Sequence, residues 1–388
     1  MRLPPPYDRL LLPVYVPSLL MAVSQEALTI LLPLYMIEIG ASPAIAALMV
    51  GLRGVGVLLF DVPAGMLVAR FGDKPVLLGG LGLILVGLTI LSVTTEPWQI
   101  GVAAIALGSG HAAWMLGRQS YLADVCATNE LGRAIAAMAG LQRGGALIGP
   151  VAGGALAGLA GFPVAFTVGA ASAVVAGATV LAFARAVPPH ADPDASLAGT
   201  LQVLRDQRRV LTTAGGSALA LQLMRASRQL LVPLFGQAVG LNVTTIGLVY
   251  SLSTVVDIAL FYPSGVLADR YGRKWSAVPS MALYALGLAL LPLAAGFYSL
   301  LAAAVLLGFA NGVGTGVVMI IGAYLARTSG RYGQLLGLWR LIGEVGISGA
   351  PLLVGTIVEG AGLATASLTV AGLGVVGALV MAFVVVET

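Results

Sequence analysis

Apolar residues run along this chain in long blocks separated by short polar breaks, without the strict in/out alternation of a strand. About 20 consecutive apolar residues let a helix cross the hydrocarbon core of a bilayer. Blocks of that length or more lie at roughly 11–38, 44–68, 76–94, 98–122, 134–159, 164–186, 209–236, 244–268, 275–295, 297–325, 334–358 and 363–385. They predict an all-α membrane protein with twelve transmembrane helices. A barrel is disfavoured, because its strands need alternating apolar and polar positions. Residues 1–9 hold Arg2 and Arg9 and the first apolar run is full length, so no cleavable signal peptide is expected.

Composition agrees with the pattern. Of 388 residues, 59% are hydrophobic and only 9% charged, too few charges to cover a soluble fold of this size. The net charge of +4 first suggests an acidic partner, but the positions of the basic residues argue otherwise. With the N-terminus placed in the cytoplasm, Arg2, Arg9, Arg70, Lys74, Arg133, Arg185, Arg205, Arg208, Arg209, Arg270, Arg273, Lys274, Arg327 and Arg331 fall in cytoplasmic loops, helix ends and tails. The outer loops carry Glu38, Glu96 and Glu359. This is the positive-inside distribution, and it sets both termini in the cytoplasm. Nucleic-acid binding is not expected. Cys126 is the only cysteine, and His111 and His190 lie far apart, so neither a disulfide nor a metal cluster is expected, and no cofactor is called for.

The chain repeats itself at a shift of 200 residues. "GMLVARFGDK" (65–74) aligns with "GVLADRYGRK" (265–274), Pro33 with Pro233, Gly40 with Gly240 and Pro63 with Pro263. A shift of 201 later sets Gly132 on Gly333 and Pro150 on Pro351. The predicted organisation is a six-helix bundle over 1–186, a polar cytoplasmic linker over 187–208, and a second six-helix bundle over 209–388. The linker's Leu197, Leu201 and Leu204 have helical spacing, so it reads either as an ordinary linker or as a short helix on the membrane surface.

With Pro263 ahead of it, "GVLADRYGRK" resembles the signature loop of the major facilitator superfamily, which in that family follows helices 2 and 8, as both copies do here. "GALIGPVAGG" (145–154) resembles the gxxxGPxxGG motif of the family's twelve-helix drug:proton antiporters; its key positions are Gly145, Gly149, Pro150, Gly153 and Gly154. Tight helix packing alone would also account for such glycines. The antiporters' span-4 arginine is absent, with Ala104 in its place. The resemblance implies two pseudo-symmetric six-helix bundles that give alternating access to a midplane site. It also implies that the loop acid Asp269, with Arg270 and Arg273, latches the two halves against the start of span 5. The first copy has Ala69 where that acid belongs, so this latch is expected to be the weaker one, and Asp269→Ala is expected to cut transport more than any change at 69. Asp124 matches another member of the family's charge cluster and is assigned to Arg70 or Arg133.

Ten ionisable groups lie inside the apolar blocks: Glu26, Asp61, Asp257 and Glu344 against Arg53, Arg118, Arg143, Arg225, Arg228 and Arg340. Each costs about 2.5–3.5 kcal/mol at the bilayer centre, so each needs a partner, a cavity or a function. Spans 3, 6, 9 and 12 hold none, and those are the spans that face lipid in the resembled family. Depth along the spans suggests cross-half pairs Asp61–Arg340 and Arg143–Asp257 as a cytoplasmic gate. It also sets Glu26 level with Arg53 and with Arg225, with Arg228 one turn beyond. Static bridges between helices are the other reading of these pairs.

A proton carrier needs a carboxyl that can change charge during the cycle. Glu26 and Glu344 are the first candidates and Asp61 and Asp257 the next. The cationic surplus, centred on Arg225 and Arg228, suits an anionic or zwitterionic substrate group. Arg53, Asn311, Thr315, His111 and Trp114 are further candidates for the cavity wall.

The expected function is secondary active transport, with proton-coupled export of amphipathic small molecules ahead of proton-coupled uptake or facilitated diffusion of an anionic or zwitterionic solute, and lipid export a variant. A non-transporting receptor or scaffold on the same fold is the alternative of another class. No HExxH, GxSxG or GxxxxGK[ST] motif suggests an enzyme. The expected partners are the substrate, protons and the bilayer of a prokaryotic inner membrane, with the chain acting as a monomer.

Overall fold

The computed structural model describes residues 7–185, 204–272, 274–316, 318, 321–322 and 332–384, with the side chains at 7, 8, 128, 129, 267–269, 271, 332–334 and 336 excepted. The described residues are helical almost throughout, as the apolar blocks require. A short turn, Tyr7–Leu10, and a π-helical turn, Leu11–Tyr15, lead into α1 (Val16–Glu38). There follow α2 (Pro43–Phe71), α3 (Asp73–Val93), α4 (Pro97–Val125), α5 (Thr128–Ala160) and α6 (Phe162–Phe183). The second series is α7 (Arg208–Ala238), α8 (Val243–Tyr271), α9 (Lys274–Leu290, with a tighter final turn Leu291–Leu293) and α10 (Phe297–Val313). The stretch Tyr332–Phe383 is broken at Gly362 into α11 (332–361) and α12 (363–383).

Among the described residues, eight continuous stretches are long and apolar enough to cross a membrane, and the last of these, Gly337–Phe383, runs through both α11 and α12. α10 is a shorter apolar helix. α5 and α7 are not among these stretches. α5 is dense in glycine and carries Arg133 and Arg143, and α7 carries Arg225 and Arg228. The chain is thus an all-α, multi-pass integral membrane protein.

The chain divides into two compact units. The first comprises 1–42, 48–192 and 242–251, and the second 43–47, 193–241 and 252–388. In the first, α1 packs on α5 and α6, and α3 on α4 and α6. In the second, α7 packs on the α11–α12 stretch and α9 on α10.

The repeat recurs in the backbone. Gly40, Gly72 and Gly161 take φ of 87°, 82° and 88°, and Gly240, Gly272 and Gly362 take 78°, 94° and 85°. Side chains are disfavoured in that region, so the same helix ends are fixed by glycine in each half. The lysine ending each signature loop does the same job twice. Lys74 Nζ donates to the carbonyls of Leu181 and Ala184, both at 2.8 Å, and Lys274 Nζ donates to Ala382 at 3.0 Å. Each ammonium therefore closes the end of its unit's last helix, where backbone carbonyls lack partners and the helix dipole is negative.

Candidate functional site

In the first unit, α5 docks on α1 along a ridge of glycines. A Cβ at Gly145 would collide with Ala22; one at Gly149 would lie 2.6 Å from the Val23 oxygen and 2.8 Å from Glu26 Cβ; one at Gly153 would lie 2.7 Å from Ala27 Cβ. Spacing of four keeps the three on one face. Gly154 lies on another face, where its Cβ would stand 2.8 Å from the Val243 oxygen, and its carbonyl accepts from Thr244 Oγ1 at 3.1 Å. Pro150 lies inside α5, and its carbonyl packs against Gly247. The motif thus serves two neighbours, α1 and the start of α8, and sets Glu26 against α5.

Glu26 is partly buried and acts electrostatically on Arg53. Arg53 Nη2 donates to Gln25 Oε1 at 2.5 Å. α4 approaches α2 closely here, with Gly108 against the Arg53 carbonyl, and Ser109 Oγ donates to the Gly56 carbonyl at 3.2 Å. His111 lies within electrostatic reach of both Arg53 and Arg118. The Arg118 guanidinium sits 5.8 Å from the Trp114 ring centroid and bonds Met115 Sδ at 2.9 Å. Trp114 is only 2% exposed and Arg118 5%. Gln25, Glu26, Arg53, His111 and Arg118 therefore form one polar cluster threading α1, α2 and α4.

A second cluster threads α7, α8, α9 and α10. Arg225 donates from Nη1 to Gln222 Oε1 at 2.9 Å and from Nη2 to the Gly314 carbonyl at 2.8 Å. Arg228 Nη2 donates to Ser253 Oγ at 2.7 Å, and Arg228 lies within electrostatic reach of Tyr284. Tyr284 OH donates to Asn311 Oδ1 at 2.9 Å, and Asn311 Nδ2 donates to Asp257 Oδ2 at 2.7 Å. Asp257 Oδ1 is buried with no hydrogen-bond partner among the described residues. Thr315 Oγ1 donates to the Asn311 carbonyl at 2.8 Å.

Asp61 on α2, Arg143 on α5 and Glu344 on α11 are partly buried, and Arg340 is exposed. Arg70, Asp124, Arg133 and Arg270 are exposed at helix ends. The Asp269 side chain and all of Arg273 fall outside the described residues, as does 187–203 of the linker. Sequence reasoning missed Gln25, Gln222, Ser253 and Tyr284, the uncharged members of the clusters. The 200-residue shift carried a signal for some of them, since it sets Arg53 on Ser253 and Gln25 on Arg225. It also missed the ion pair Arg9 Nη2–Glu130 Oε2, at 2.6 Å, which ties the N-terminal turn to the first turn of α5.

The sequence model of the Major Facilitator Superfamily matches residues 15–228 and again 217–388. The chain belongs to the Major Facilitator Superfamily. Among curated proteins it is 26% identical over 240 residues to the multidrug resistance protein MdtH of Aeromonas hydrophila subsp. hydrophila, a match covering 61% of this chain and 58% of that protein. It is 25% identical over 231 residues to the protein of the same name from Yersinia pestis (strain Pestoides F), covering 58% of this chain and 56% of that one. The matches thus span well under two thirds of these relatives. Among solved structures, a POT family transporter in complex with a thioalcohol-conjugated peptide aligns with TM-score 0.79 at 11% identity, covering 95% of this chain and 94% of that one. The nucleoside transporter NupG aligns with TM-score 0.77 at 16% identity, covering 96% and 98%. At such identities these structures share the fold of this superfamily member and nothing finer.

Proposed function

We propose that this superfamily member is a secondary active transporter that exports amphipathic small molecules in exchange for protons, by alternating access to a site between its halves. The supporting observation is the seat of α5 on α1. The glycine ridge that resembles the antiporter motif presses on Glu26 at Gly149, and Glu26 acts electrostatically on Arg53. A carboxylate beside an arginine carries protons when the guanidinium leaves it during the cycle. The name of the MdtH relatives, multidrug resistance protein, points the same way.

Glu26 is the first proton carrier in this reading, with Glu344, Asp61 and Asp257 as the others. Arg225 and Arg228 face the substrate's polar group. The protein sits in a prokaryotic cytoplasmic membrane with both termini inside and acts as a monomer.

A second reading is proton-coupled uptake or facilitated diffusion of a small anionic or zwitterionic solute. Two features favour it: fully buried Ala104 where the antiporter pattern has arginine, and the cationic excess of the buried groups. Purified protein in liposomes, given a pH gradient of either sign and a panel of lipophilic and zwitterionic solutes, separates the two. Export predicts accumulation of amphipathic compounds against the proton flow. Indifference to the gradient, or accumulation with the flow, overturns it.

A further inference from the structure

The end of α2 and the first half of α3 enclose an open apolar groove of about 270 Å³ whose lining includes Phe60, Leu67, Phe71, Pro75, Val76 and Leu83. Ala113 of α4 also lines it and packs with Val76 and Ala64 in one apolar cluster. Phe60 and Phe71 are eleven residues apart, about 16 Å along a helix. That is about half of the 30 Å hydrocarbon core, the depth of a single leaflet. An extended hydrocarbon chain fits these dimensions.

The groove's mouth is charged. Arg70 is exposed, and its guanidinium lies 5.2 Å from the centroid of the Phe71 ring, which itself lines the groove. No described residue forms an ion pair or hydrogen bond with Arg70. The neighbouring base, Lys74, is spent on the carbonyls of Leu181 and Ala184. Residue 69, also exposed, is alanine, whereas the second copy of the loop has Asp269 at the matching place. An acid at 69 would stand next to any anion bound by Arg70 and repel it.

We propose that this groove holds one acyl chain of an anionic phospholipid, with the phosphate on Arg70, and that the loss of the acid at position 69 is what admits the negative head group. Guanidinium forks match phosphate oxygens in pairs, and the aromatic face beneath Arg70 holds the fork in place. The degenerate copy of the signature loop thereby has a role of its own, independent of what the protein transports.

The test is native mass spectrometry of the purified full-length protein after equilibration with phosphatidylglycerol and phosphatidylethanolamine of identical acyl chains. Wild type should retain one phosphatidylglycerol in preference to phosphatidylethanolamine. Ala69→Asp and Arg70→Gln should each lower that preference about fivefold while leaving phosphatidylethanolamine retention intact. Gly79→Phe should abolish retention of both lipids, because Gly79 lines the groove and a Cβ there meets nothing within 4 Å, so the ring can fill it without displacing a neighbour. Its melting temperature, unchanged within error, confirms that the fold survives. Equal retention of the two lipids by wild type, an unchanged preference in Ala69→Asp, or undiminished binding in a folded Gly79→Phe would each overturn the proposal.

Discussion

Asn311 donates from Nδ2 to Oδ2 of Asp257 at 2.7 Å. Its other end is also engaged, because Oδ1 accepts from Tyr284 OH at 2.9 Å. The tyrosine's single hydrogen is therefore spent, and its oxygen is left as an acceptor within electrostatic reach of Arg228. Both donors in the series point the same way, from Tyr284 through Asn311 to the carboxylate. Tyr284→Phe keeps the ring but strands Asn311 Oδ1 in a partly buried site, which should cost about 1 kcal/mol or more of stability. Asn311→Leu should cost at least as much, since it removes the donor to Asp257 as well. Thermal unfolding in detergent checks both, and Tm values equal to wild type would show that the series carries no load.

The α1–α5 seam gives a contrast within five residues. Gly149→Ala forces a methyl to within 2.8 Å of Glu26 Cβ and 2.6 Å of the Val23 oxygen, so the helices must part. Overpacking of this kind costs about 1–3 kcal/mol. A Cβ at Gly144 meets nothing within 4 Å, so Gly144→Ala should behave as wild type. Expected is a lower Tm and at least tenfold slower transport for the first variant, with neither for the second.

Much of this was legible in the sequence, and the reason is physical. Hydrocarbon forces each span to be long and apolar, so the helices could be read off, and duplication doubled the signal at Gly40 and Gly240 and at Lys74 and Lys274. A census of buried charge found Glu26, Arg53, Arg225, Arg228 and Asp257 because such groups are costly in lipid. It passed over Tyr284, Gln25 and Ser253, whose side chains are common in ordinary helices and become informative only once a guanidinium is seen near them. Which residue satisfies a given arginine depends on helix rotation at the ångström level. Depth counting placed Glu26 level with Arg53 but could not show that Gln25 accepts the hydrogen bond. It also gave no sign of the Asn311–Asp257 contact.

The lysine caps predict a shared defect. Lys74→Met and Lys274→Met each leave the end of a unit's last helix without its cation, a loss of about 0.3–1 kcal/mol. Arginine at either position should restore most of it, because the charge is kept. Chemical unfolding of the four variants tests this, and a neutral result for both methionine variants would show that water serves those carbonyls equally well.

Cys126, just beyond α4, reports on the N-terminal tie. Burial pushes its thiol above the ordinary value, Glu130 pushes it further the same way, and Arg9 opposes them. Only the thiolate is nucleophilic, so maleimide labelling near neutral pH should be slower than for a free thiol and should rise as pH is increased. Glu130→Gln removes a raising charge and should speed labelling; Arg9→Gln removes a lowering charge and should slow it. Identical rates in both variants would mean that the Arg9–Glu130 pair does not persist in solution.

Proton-coupled export through Glu26 is tested most directly by one comparison in proteoliposomes: substrate accumulation driven by a pH gradient against substrate exchange with no gradient, in wild type and Glu26→Gln. The variant should lose gradient-driven accumulation at least tenfold yet keep exchange within about twofold, since the neutral side chain mimics the protonated carrier. Gradient-driven accumulation that survives the substitution would contradict it.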